Sequence, residues 1–372
     1  MKISYRQLSI MVFMSFIALK FLVLPSMLYR FSGNMSWLVA LVLMIMDGIY
    51  AFLIIGLIEK NQDINVLDFM KKTVGTVLAK VFLVCLTLMF ALQVMNIAKG
   101  LEFFVVENFY NEFNWALYVL PLVALVGFMM YKGLRNIARV QEVFCWSIIV
   151  GLIYIAVKSL DGVDFLEYLP FFKDGAGPLF ASGFRHVSWF GSSTFLLMLF
   201  GRVDFKDVKK KKTLLYVIFA ILLVQIIHFI FYGLFGVTSP THTFAISDIS
   251  QFSTSKSIID ELSWLVVSLW VVMQSIQLAL YAYCLVQAFS HIFEVKNQIP
   301  IIFIVDAFIF TLGYVGAKTI NLEQIFFTPF ASIVTIISQY IIPLVLLVGN
   351  ILNKRKEKKL LAVQNEKVKV NI

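Results

Sequence analysis

Near the middle of an apolar run stands a lysine, Lys20, with Pro25 about a turn later. If that run crosses a bilayer, an ammonium at such depth costs roughly 2.5–3.5 kcal/mol on insertion scales, so it needs acceptors or a counter-charge. Two acids in other apolar runs, Asp47 and Asp306, are candidate ion-pair partners. Two chemistries suit the lysine equally: a structural pair with Asp47, or capture of a carboxylate on a small ligand.

A second segment has the composition of a backbone that unwinds. Gly183, Arg185 and His186 lead into Gly191-Ser192-Ser193-Thr194, and small or hydroxylated residues can satisfy or replace lost backbone hydrogen bonds. A small-residue packing face is the rival reading. Polar residues also recur at helical spacing: Met89, Gln93, Asn96 and Gly100; Trp270, Gln274, Gln277, Tyr281 and Cys284; Ser332, Thr335 and Gln339. Amides turned toward lipid would lack partners, so these stripes face inward, where they line a cavity or bond helix to helix. The candidate ligand-binding residues are therefore Lys20, Gly191, Ser192, Ser193, Thr194, Gln93, Gln274 and Gln277.

These residues need a frame. Of 372 residues 60% are hydrophobic and only 14% charged, too little charge for the surface of a soluble domain. A helix needs roughly 20 apolar residues to cross the hydrocarbon. Ten such spans can be marked: 8–29, 36–58, 77–98, 114–131, 140–158, 179–201, 213–237, 262–290, 300–317 and 331–352. Barrel strands would be half as long and alternate in polarity, so the class is an all-α polytopic membrane protein. The 31 Lys and Arg sort by side, with Lys80 and Lys158 counted at the gaps their span ends adjoin: 23 fall in the N-terminus, the even gaps and the tail, six in the odd gaps, and two, Lys20 and Arg185, inside spans. The positive-inside rule then puts both termini in the cytoplasm, with a basic, disordered tail from 353. The longer outer gaps, 159–178 and 238–261, have room for short interfacial helices.

Ten spans divide into two five-span halves, about 1–158 and 179–352, which an odd number forces into opposite orientations. Such inverted repeats place a ligand at mid-membrane where the first helix of each half is broken. Lys20 with Pro25, and Gly191 with its hydroxylated neighbours, occupy those two places.

Several functions are excluded. His186, His228, His242 and His291 are scattered, and Cys85, Cys145 and Cys284 lie in spans without metal spacing, so neither metal nor cofactor is expected. No phosphate-cradling loop, nucleophile elbow or paired catalytic carboxylates can be found, which argues against an enzyme. Lys209–Lys212 and Lys354–Lys359 abut spans, where anionic headgroups rather than nucleic acid are the partner. His228 reads as a packing residue, Arg185 and His186 as reaching outward to headgroups, and Arg139 as pairing with Glu142.

Five stretches resemble the spore germination permease family, the B subunits of GerA-type nutrient germinant receptors in the amino acid/polyamine/organocation superfamily. They are Ile3-Ser4-Tyr5-Arg6-Gln7 before the first helix, Leu22-Val23-Leu24-Pro25 at its end, the G-x-x-x-I-A-R-x-x-E element from Gly133 to Glu142, Phe190-Gly191 in the sixth helix, and Ile259-Asp260-Glu261-Leu262 through Trp270 in the eighth. Two departures stand out. Ala18-Leu19-Lys20 replaces a glycine-containing stretch, and Ser192 and Ser193 stand where the family's F-G-F-E has its acid.

The resemblance implies a LeuT-like fold and a germinant-sensing role in the spore inner membrane, beside an A subunit and a lipoprotein C subunit. The ligand it implies is a small polar nutrient, amino acid-like. It also suggests that Lys20 stands where relatives hold a coupling Na⁺. An autonomous amino acid or amine permease, and an ion- or water-conducting subunit of a germination complex, are the alternatives.

Overall fold

The computed structural model describes residues 2–21, 23–109, 115–170, 175–206, 210–252, 260–314 and 328–370. Ile259 and the charges at Lys173, Lys209, Lys256 and Lys318 lie outside them. The described chain is all-α apart from a short parallel pairing of β1 (Ile3–Ser4) with β2 (Val203–Asp204). Six helical stretches are long and apolar enough to cross a membrane, and three shorter apolar helices accompany them. This is a multi-pass integral membrane protein.

The first apolar run is two helices, α1 (Tyr5–Ala18) and α2 (Leu24–Ser32). A capping box opens α1: Gln7 N donates to Ser4 Oγ, and Ser4 N donates to Gln7 Oε1. Pro25 sits in the first turn of α2, where a missing N–H does no harm. Next come α3 (Ser36–Glu59), α4 (Val66–Val74), α5 (Thr76–Phe109), α6 (Trp115–Lys132) and α7 (Leu134–Ser159). The sixth run is irregular throughout. It consists of α8 (Gly177–His186), a 3₁₀ turn at Val187–Phe190, and a second 3₁₀ stretch at Thr194–Leu199. Then follow α9 (Lys210–Phe235), α10 (Ala245–Phe252), α11 (Asp260–Ile292), α12 (Ile299–Tyr314), α13 (Pro329–Thr335), a π-helical stretch at Ile336–Ile341 and α14 (Ile342–Val370).

Most of α11 is enclosed, whereas the other long helices bury about half of their length. It packs against α5, α7 and α6, and also against α1 and α12. The outer helices carry runs of exposed apolar side chains, such as Val143, Trp146, Val150 and Val157 along α7, as a lipid-facing surface requires.

Four expectations need correction. The third span does not stop at 98, because α5 runs on to Phe109. Lys99 and Glu102, assigned to an outer loop, lie inside the helix as a buried pair with Nζ 2.6 Å from Oε2. One turn apart, they neutralise each other, and Leu101 and Phe104 continue the apolar face. The Gly133–Glu142 element forms the start of α7. Gly133, at φ +82°, is the single residue between α6 and α7. Glu142 pairs with Arg6 rather than Arg139, and also accepts from Gln7 Nε2 at 3.2 Å. The tail is helical to Val370: it extends an existing helix, so its Lys, Leu, Ala and Gln residues propagate without a nucleation cost. A short helix in the outer 238–261 gap was anticipated, and α10 fills that place, but its inner face is buried.

Candidate functional site

A helix break frees backbone groups that need partners when no water is at hand. At the first break, α1 stops at Ala18 and α2 begins at Leu24. Gln274 Nε2 of α11 donates to Ala18 O. His228 Nε2 of α9 lies 3.0 Å from Lys20 O, placing a ring N–H on that carbonyl. Ile246 N of α10 donates to Phe21 O at 3.2 Å, and the Tyr232 hydroxyl donates to Pro25 O at 3.0 Å.

The second break is tied off in the same way. Gln93 Nε2 of α5 donates to Ser188 O at 3.1 Å, and Lys20 Nζ to Trp189 O at 2.6 Å. Gln339 Nε2, from the π-helical stretch, donates to Phe190 O at 2.8 Å. Ser192 N and Ser193 N both turn to Asp47, at 3.2 and 3.0 Å from its two carboxylate oxygens. Thr194 Oγ1 donates to Gln339 Oε1 at 2.8 Å. Side chains from α3, α5 and the π-helical stretch thus replace the ladder that the irregular backbone gives up.

The two breaks meet at Lys20. Besides Trp189 O, its ammonium reaches Ser192 Oγ at 2.8 Å and lies 4.9 Å from the Phe190 ring centre. Among the described residues Lys20 and Asp47 form no direct ion pair. Ser192 mediates, taking the lysine on its hydroxyl and giving its amide to the acid. Gln339 Nε2 adds a 2.6 Å bond to Asp47 Oδ1. Lys20, Asp47, Ser193 and Thr194 are all fully buried, so an unpaired charge there would be expensive. A Cβ at Gly191 would stand 2.0 Å from Met89 Cε and 3.2 Å from Gln93 Nε2, so both side-chain ends must shift to admit one.

Of the residues singled out from sequence, Lys20, Asp47, Gly191, Ser192, Ser193, Thr194 and Gln93 come together here. Gln274 stands at the end of α1. Gln277 belongs to a separate patch, donating to Ser15 Oγ at 2.7 Å and accepting from Gln141 Nε2 at 3.3 Å. Asp306 sits elsewhere, its carboxylate against Gly127 of α6, and among the described residues it has no hydrogen bond or ion pair to Lys20. His186 does not reach outward, being buried with Nδ1 2.7 Å from Ser182 O. Arg185 is exposed and lies over the Phe31 ring. Sequence reasoning placed Gln339 in a polar stripe but not in the site, and gave His228 only a packing role. Its position at a turn of the tenth span was the one signal for Gln339. The described residues include no cluster of His, Cys, Asp and Glu fit for a metal, and the three cysteines are free.

Comparison with known families supplies the wider setting. The family model described as spore germination protein, of the spore permease type, matches residues 2–318, so the chain belongs to that family. The match takes in both breaks and Asp47 and ends before Gln339. No curated protein matches the chain.

Proposed function

We propose that this family member is the membrane subunit of a spore nutrient germinant receptor. It would bind a small, polar, amino acid-like germinant between its two broken spans and signal through A and lipoprotein C subunits. The reading takes ten spans as two oppositely inserted units, about 1–158 and 179–352, arranged as in LeuT-like transporters with both termini cytoplasmic.

One observation carries it: hydrogen-bonding capacity left unused beside the breaks. Gln93 Oε1, Ser193 Oγ and Gln274 Oε1 are buried without partners, and each such group costs about 1–3 kcal/mol. A ligand ammonium offers donors that amide oxygens accept. A ligand carboxylate offers Lys20 the acceptors that Trp189 O and Ser192 Oγ now provide. Because Lys20 and its neighbours are packed shut, binding must exchange these contacts for new ones. A ligand that prefers the exchanged packing shifts the helix bundle toward it, and that shift is the signal. Lys20 also supplies a fixed positive charge, so ligand affinity should be the same with and without sodium.

Genetics and reconstitution test this together. Deleting the gene should abolish germination with one nutrient and spare the others. The purified chain should bind that nutrient without accumulating it in vesicles. Uptake by the chain alone would point to an autonomous amino acid or amine permease, and unselective ion or water flux to a conducting element. A deletion that leaves every nutrient response intact would overturn the reading.

A further inference from the structure

A cavity of about 600 Å³ opens on the face that carries the basic loops, lined in part by Tyr5, Arg6, Asp204, Lys206, Lys212 and Tyr216. None of the residues at the two breaks borders it. It lies between the start of α1, the β2 strand with its following residue, and the first turn of α9. Ser9 helps close it: its hydroxyl lies 2.7 Å from Thr213 Oγ1 and donates to Tyr5 O at 3.0 Å.

Its charges are unevenly committed. Arg6 is taken up by Glu142. Asp204 accepts from Lys206 N at 3.1 Å. The ammonium groups of Lys206 and Lys212 form no ion pair among the described residues, and both are exposed at the cavity. Tyr5 is the second observation. Its side chain is 4% exposed, and its hydroxyl is buried with no hydrogen-bond partner, although the residue lines an open cavity. The hydroxyl is covered in this structure, so an entering acceptor takes up this free donor only once the side chains over it shift. Tyr5 also begins the 14-residue α1, whose N-terminal end carries partial positive charge.

Two uncommitted ammonium groups, one unpartnered phenol and a helix N-terminus favour an anion with several oxygens about one centre, as in a phosphate group. Leu214 and Leu215, exposed along α9, come just after Lys212 and the buried Thr213, so the cavity stands where a lipid-facing helix meets the headgroup layer. We propose that this cavity binds a phosphate group, presented by an anionic lipid headgroup or by a soluble phosphate.

The test uses the full chain in phosphatidylcholine nanodiscs. Phosphatidic acid is added in one arm, with retained lipid counted by native mass spectrometry. Inorganic phosphate is titrated in the other, with the melting temperature as readout. The Lys206→Ala/Lys212→Ala variant should lose roughly tenfold or more in binding, and Tyr5→Phe about threefold with no change of charge. Lys60→Ala/Lys296→Ala, which removes equal charge at exposed positions of the basic face that do not border the cavity, should behave as wild type. Retention of phosphatidic acid without a phosphate response assigns the source to lipid, and a phosphate response in phosphatidylcholine alone assigns it to a soluble ligand. The proposal is overturned by equal binding in wild type and the Lys206/Lys212 variant, by an equal loss in the Lys60/Lys296 control, or by no binding to wild type in either arm.

Discussion

Two buried lysine–acid arrangements among the described residues are built on opposite plans. Lys99 and Glu102 close on each other at 2.6 Å within one turn of α5. They need no other element for their charge balance. Lys20 and Asp47 are held apart, joined through Ser192 and surrounded by backbone groups of the broken sixth span and by Gln339. A self-contained pair has no reason to change partners. An open pair depends on how several elements pack together, so a ligand or a shift in packing can reassign its bonds.

The sharpest way to break this contrast is Asp47→Ala. It strands Lys20 in the interior together with the Ser192 and Ser193 amides, and leaves Gln339 Nε2 only its bond to Phe190 O. A loss of about 3–5 kcal/mol is expected, read as a lower melting temperature of the solubilised chain. Glu102→Leu should be nearly as damaging, but adding Lys99→Met should recover most of the loss, since a matched buried pair is replaceable by apolar groups at little net cost. The parallel double variant Lys20→Met/Asp47→Leu should recover less and should abolish the nutrient response, which the Lys99/Glu102 double variant keeps. A normal nutrient response in both doubles would erase the distinction. Gly191→Ala should cost about 1–3 kcal/mol through the clash with Met89 Cε, and adding Met89→Ala should relieve it. The smallest effect belongs to Arg6→Ala. Its bridge to Glu142 starts from a side chain 74% exposed, so a melting assay should register at most about 1 kcal/mol.

Both breaks could be read in the chain itself. A lysine before Pro25 and a run of Gly191 with three hydroxylated residues are poor material for a continuous membrane helix. Asp47 was legible for the same reason, as a charge with no business in lipid. Gln339 was not, because an amide at helical spacing looks the same whether it glues helices or serves a site. The π-helical stretch that presents it leaves no compositional trace. Lys99 and Glu102 were misplaced because charges counted singly end an apolar run, while their mutual cancellation one turn apart is visible only in three dimensions. The helical tail was missed since composition alone does not register the helix it continues.

The pairing of Ile3 with Val203, secured by Ile3 N donating to Arg202 O at 2.8 Å, has a mechanical consequence. The half-helix entering the first gap and the short coil leaving the second are latched together at their far ends, while Lys20 and Ser192 fasten the near ends. The two pieces form a closed frame, like the arms of a yoke. A displacement at one gap therefore loads the contacts that hold the opposite arm and the start of the chain.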